Sequence, residues 1–154
     1  MKLGNLSLGE FFAMAGGVLL GVSIFLPHTY EPRPQNRHAN INGLKDGVFS
    51  IWEVHPIMRW FLLAGAVAPF ILAYIVIREH ELSWPRGEAT AVVAIAVMGL
   101  IFYTGIIDRP GEPSGEIELD WSWYTAMGGG LAMLIGAAMR QSRSETRRKP
   151  PGVL

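Results

Sequence analysis

Apolar positions along this chain gather into four long runs, separated by short polar and turn-rich segments. The run from Pro56 to Arg78, PIMRWFLLAGAVAPFILAYIVIR, has no charged side chain between Trp60 and Ile77. About 18 such residues in a helix reach across the hydrocarbon core of a bilayer. No water is available there to satisfy the backbone, so an isolated crossing segment must be helical. Similar runs extend from Phe11 to Leu26, where Pro27 stops the run, from Ala89 to Ile107 and from Trp121 to Met139. The pattern predicts an all-α membrane protein, a left-handed bundle of four transmembrane helices within residues 1–140. The expected spans are 9–27, 56–78, 88–107 and 121–140, with Pro69 bending the second.

The first run and Lys2 ahead of it would also suit a signal peptide, but PHTYEPRP follows, without a small-residue cleavage site. An uncleaved first helix is the expectation. The outer loops, 28–55 and 108–120, are expected to form a small extracytoplasmic cap. HTYEPRPQNRHAN reads as irregular. Beyond it, Leu44, Val48, Ile51 and Trp52 recur at helical spacing, with Lys45, Asp46, Ser50 and Glu53 on the other side. That spacing predicts a short amphipathic helix in the membrane interface. A strand from Val48 to Val54 fits less well, since its alternation breaks at Ile51-Trp52. The link from Glu79 to Glu88 can join only antiparallel neighbours. The basic stretch 141–154 is polar and proline-containing, and disorder is expected for it.

Thirteen basic and thirteen acidic residues cancel, so no overall field would attract nucleic acid, and no nucleic-acid partner is expected. The absence of cysteine excludes disulfides, thiolate metal sites and a cysteine nucleophile. The placement of charge is more telling. With the chain's ends inside, the inner segments carry Lys2, Arg78, Arg86, Arg140, Arg143, Arg147, Arg148 and Lys149. The outer ones carry Arg33, Arg37, Lys45, Arg59 and Arg109. This bias predicts a multi-pass protein of the cell membrane with both termini cytoplasmic. Trp52, Trp60, Tyr103, Trp121, Trp123 and Tyr124 would then form an outer aromatic belt.

Small residues at four-residue intervals, Ala13, Gly17 and Gly21 in the first span and Gly128, Ala132 and Gly136 in the fourth, are candidates for close helix packing. They would pack the first helix on the fourth, or one ridge would serve a second subunit. His28 and His55 close the first span and open the second, with Glu53 beside His55. Imidazoles with a carboxylate can hold a metal, and an axial pair can hold haem. Their spacing matches no metal motif, so no metal or cofactor is expected. Arg59, one turn inside the second span, is expected to pair with Glu53, Asp108 or Asp120 at the outer surface. Arg143, Arg147, Arg148 and Lys149 are placed to touch anionic lipid headgroups. No span carries an acid or histidine near its centre, as a proton relay would need. With no nucleophile motif or phosphate loop, an enzyme is not expected.

The first helix ending in IFLP and the last one, DWSWYTAMGGGLAMLIGAAM, make the chain resemble small uncharacterised four-span membrane proteins of actinobacteria. Its layout is also similar to claudin-like tetraspans, although it lacks their paired loop cysteines and their G-L-W signature. The resemblance implies no established activity and no transferable site. The expected role is a non-catalytic structural or accessory subunit, acting through helix–helix and outer-loop contacts among membrane lipids. It would work as a homo-oligomer or as part of a larger membrane complex. The alternatives are a small transporter or channel, and a metal- or haem-binding redox subunit using the outer histidines.

Overall fold

The computed structural model describes residues 6–78 and 86–145. The chain is mostly helical: α1 (Leu8–Phe25), α2 (Ile51–Val54), α3 (Met58–Ile77), α4 (Arg86–Phe102) and α5 (Trp121–Glu145). Two short strands, β1 (Tyr30–Pro32) and β2 (Ile117–Leu119), lie in the connections. Three helical segments are long and apolar enough to cross a membrane: Leu8–Phe25, Met58–Ile77 and Gly87–Ile107. Four were expected. In α5 the apolar content is diluted by Trp121, Ser122, Tyr124 and Thr125 and by three successive glycines.

Helix boundaries follow local chemistry. At the start of α1 the Glu10 carboxylate accepts the Ser7 backbone N–H, one half of a capping box. Its end falls at Leu26, held extended (ψ 133°) by the proline that follows. Pro69 is buried within α3, where it removes the donor that Gly65 O would receive. The last turn of α4 widens into a π-helical segment, Tyr103–Ile107, closed by Asp108 N donating to Tyr103 O at 2.8 Å. At the other end, α5 continues to Glu145. Residues 146–154, the rest of the basic stretch, lie outside the described residues. The expected link at 79–85 lies outside the described residues.

In the bundle α1 packs most closely on α5, α5 also lies against α4, and α3 closes the other side of α1. Leu20, Ile24, Leu62, Ala94, Val97, Ile101, Ala126 and Met133 fill the centre. That core runs without a break into the cap, through Tyr30, Ile41, Phe49, Ile51 and Ile117. Both connecting loops build the cap. β1 and β2 pair antiparallel in the register Tyr30 with Leu119, Glu31 with Glu118 and Pro32 with Ile117. Phe49 joins Tyr30 through backbone bonds of 2.9 and 3.1 Å, and Asn40 bridges to Glu112.

The expected amphipathic helix is reduced to one turn, Ile51–Val54, capped by Ser50 and Glu53. Leu44, which should have opened its apolar face, is 57% exposed. Positive φ at Gly43 (81°) and Gly47 (121°) breaks any helix there, and Phe49 is drawn into backbone pairing with Tyr30 instead.

Candidate functional site

The backbones of α1 and α5 come into direct contact along their seam. A Cβ built on Gly9 would lie 2.6 Å from Gly136 O, and one on Gly16 would lie 2.5 Å from Gly129 O. Two turns further on, Ser122 Oγ donates to Ser23 O at 3.1 Å, and Ser23 Oγ donates to Thr125 Oγ1 at 3.0 Å. Gly9, Gly16 and Ser23 thus meet Gly136, Gly129 and Ser122 in antiparallel order, at seven-residue steps on both helices. A seven-residue step lags an ideal helix by only about 20°, so the small residues stay on one line.

Four-residue steps advance by about 40° each and carry a stripe round the helix. The expected ridges therefore divide between neighbours. Ala13 does face α5, where a Cβ on Gly136 would come within 2.7 Å of its nitrogen. Gly17 and Gly21 face α3, near Ala66 O and Ala66 Cβ respectively. Ala132 is half-buried, while Gly128 has nothing nearer than Leu19 Cδ2 at 4.0 Å. Gly129 and Gly130 do the packing instead, the first against α1 and the second against Met98 of α4.

At the end away from the cap, a charged pair is enclosed between helices. Arg140 Nη2 lies 2.8 Å from Glu10 Oε1, with the side chains only 7% and 4% exposed. Arg140 Nη1 donates to Thr90 Oγ1 at 3.1 Å, so one guanidinium ties α1, α4 and α5 together. The partners lie far apart in sequence, and nothing local marks either of them. Of the basic residues expected at lipid headgroups, Arg143 lies in the last turns of α5, and Arg147, Arg148 and Lys149 fall outside the described residues.

At the cap end, Tyr30 is fully buried. Its hydroxyl donates to Thr104 Oγ1 (3.4 Å) and lies 3.1 Å from His55 Nε2. Thr104 in turn donates to Leu100 O. Burial pushes the Tyr30 pKa up to about 12, against smaller opposing effects of the Thr104 bond and the charge of Arg109. Burial also lowers the His55 pKa, and the negative charge of Asp108 opposes that.

The two histidines do not converge. His28, with φ 72°, places Nδ1 2.8 Å from Asp120 Oδ2, while Asp120 Oδ1 accepts the Trp121 N–H. Glu53 is taken up by Ser50, accepting from its N and Oγ at 2.9 and 2.8 Å. Among the described residues no three His, Cys, Asp or Glu side chains come together in a set able to hold a metal.

Arg59 also differs from expectation. None of the ion pairs among the described residues includes it. Its Nη1 donates to Trp52 O at 3.0 Å, and its guanidinium carbon lies 4.5 Å from the centre of the Trp52 ring and 5.6 Å from that of Trp60. Asp120 is unavailable because His28 holds it. Of the expected aromatic belt, Trp60, Tyr103, Trp121 and Tyr124 are exposed. Trp123 is buried, donating from Nε1 to Ile101 O at 3.1 Å across Gly105, whose missing side chain leaves room for the indole.

Compared with known proteins, the chain matches no family model, no curated protein and no solved structure.

Proposed function

We propose that this chain is a four-span protein of the cell membrane that acts as a non-catalytic structural or accessory subunit, through contact rather than transport or chemistry. The observation that carries this reading is the α1–α5 seam, where two backbones touch at Gly9/Gly136 and Gly16/Gly129 and leave no room for a lumen between them. Similar approaches, Gly65 to Val97 and Gly130 to Met98, close the other helix pairs. A conduit needs a polar lining through the hydrocarbon depth. Here the buried Ser23, Ser122 and Thr104 are engaged with one another or with helix carbonyls near the cap end.

The fourth span is supported by packing rather than by hydropathy. α5 has 25 residues, about 37 Å of helix, and lies between two helices that are themselves apolar enough to span. Arginine and lysine bias favours a cytoplasmic location for the ends opposite the cap. The cap, built from the first and last connections, would lie on the opposite side. A partner would be a second copy or a larger membrane complex, engaged through the cap or the lipid-facing helix surfaces.

The test is reconstitution of the full chain into liposomes loaded with an ion-sensitive dye. Flux indistinguishable from that of empty vesicles is expected. Reproducible conductance would replace this reading with that of a small transporter or channel.

A further inference from the structure

We propose that Arg59, with Trp52 and Trp60, forms a binding site for the phosphate of an anionic phospholipid in the leaflet next to the cap. Four observations place it there. Of the carboxylates expected beside Arg59, Glu53 is engaged with Ser50 and Asp120 with His28, while Asp108 is exposed and makes no ion pair with it. Among the other cap arginines, Arg33 reaches Glu118 at 2.7 Å, Arg109 donates to Gly105 O and Ile117 O, and Arg37 is exposed to solvent. Arg59 keeps a full charge with a single hydrogen bond from Nη1.

The second observation concerns the other edge of its guanidinium. Nε is buried and has no acceptor. Nε and Nη2 form the fork that grips a phosphate or carboxylate through two parallel bonds. The free protein therefore carries an unsatisfied donor on the edge best suited to a phosphate. Trp60 stands over the guanidinium yet is 55% exposed, so its indole can swing aside to admit the ligand.

Position is the third. Arg59 is in the first turn of α3, one of the helices long and apolar enough to span, so it belongs at headgroup level. Tryptophan is the residue expected at that depth. Fourth, eight and eleven residues further on, Val67 (44% exposed) and Phe70 (40%) return to the side of α3 that carries Arg59. A lipid whose phosphate sits on Arg59 can lay an acyl chain along them. A soluble phosphate has no use for such a surface, which favours the lipid as occupant.

This inference rests on the membrane reading, and the experiment separates the two. Full-length protein in mild detergent is titrated with phosphatidylglycerol or phosphatidylcholine, and retained lipid is counted by native mass spectrometry. Wild type is expected to hold phosphatidylglycerol at about tenfold lower concentration than phosphatidylcholine, the effect of one charge-assisted bidentate contact. Arg59→Gln should lose that preference, Arg59→Lys should keep part of it, and Arg33→Gln should keep all of it. Should Arg59→Gln not fold, the Lys variant carries the test, because it retains the charge and loses the fork. Equal preference in wild type and the Arg59 variants overturns the site. So does displacement of the lipid by millimolar inorganic phosphate, which would show a general anion site. A chain that stays in solution without detergent would overturn the membrane reading itself.

Discussion

Gly16 and Gly129 face each other backbone to backbone: a Cβ on either would come within 2.8 Å of the other's carbonyl oxygen. In this seam dispersion replaces the hydrophobic effect, which gives little drive between helices in lipid. Enlarging either residue must separate the helices. Gly16→Leu or Gly129→Leu should lower the melting temperature in detergent sharply, since overpacking a close contact costs about 1–3 kcal/mol or more. Gly99→Ala meets nothing within 4 Å and should be neutral or stabilising. Gly128→Ala should be tolerated as well. If Gly128 proved more sensitive than Gly129, the seven-residue register would be wrong.

Glu10 and Arg140 supply a second, polar register mark for α1 and α5. Removing one partner of such a buried pair strands the other, typically at about 3–5 kcal/mol. Glu10→Gln and Arg140→Met should each destabilise strongly. The combination Glu10→Leu with Arg140→Met should recover most of the loss. A double-mutant cycle by denaturant titration measures the coupling, and additive effects would show that the pair contributes none.

The pH dependence of stability originates in the cap. His55 has a lowered pKa, so the unfolded chain takes up its proton first as pH falls. Stability is complete above the ordinary value of about 6.5 and declines below it. Tyr30 acts at the other end of the scale. The unfolded chain ionises from about pH 10, while the folded one holds its proton to about 12, so stability falls by roughly 2–3 kcal/mol across that window. His55→Gln should flatten the acid limb and Tyr30→Phe the alkaline one, as read from melting temperature against pH.

Trp123 ties α5 to the π-helical turn of α4. Trp123→Phe gives up the bond to Ile101 O and should cost about 1–3 kcal/mol, since a buried carbonyl loses its donor. Gly105→Ala would place a Cβ 2.2 Å from Trp123 Nε1 and should cost more. Equal stability of both variants and wild type would mean that the indole is not wedged into that turn.

Much of the frame was legible in the sequence. Charge-free runs mark the α1, α3 and α4 spans because their burial depends on composition and length alone. Pro27 stops α1 one residue after Leu26 for a reason that is local. The seam was only half legible. Ala13 and Gly136 were found through four-residue spacing, but the seven-residue recurrence of Gly9, Gly16 and Ser23 opposite Ser122, Gly129 and Gly136 was the better signal. Glu10 was not singled out and Arg140 was counted only among the inner basic residues, since only the fold brings them together. Arg59 was expected beside a carboxylate. The competition it lost, Asp120 to His28 and Glu53 to Ser50, depends on geometry that no spacing records.

The account depends most on α5 crossing with α1, α3 and α4, which puts the cap on one side of the membrane and the far end of α5 on the other. The chain has no cysteine, so single cysteines report sidedness directly. Asn36→Cys and Ser114→Cys, both in the cap, should react with a membrane-impermeant maleimide on intact cells. Ser144→Cys, near the end of α5, should react only after permeabilisation. Labelling of Ser144→Cys alongside Ser114→Cys on intact cells would mean that α5 does not cross, and would contradict the four-span bundle.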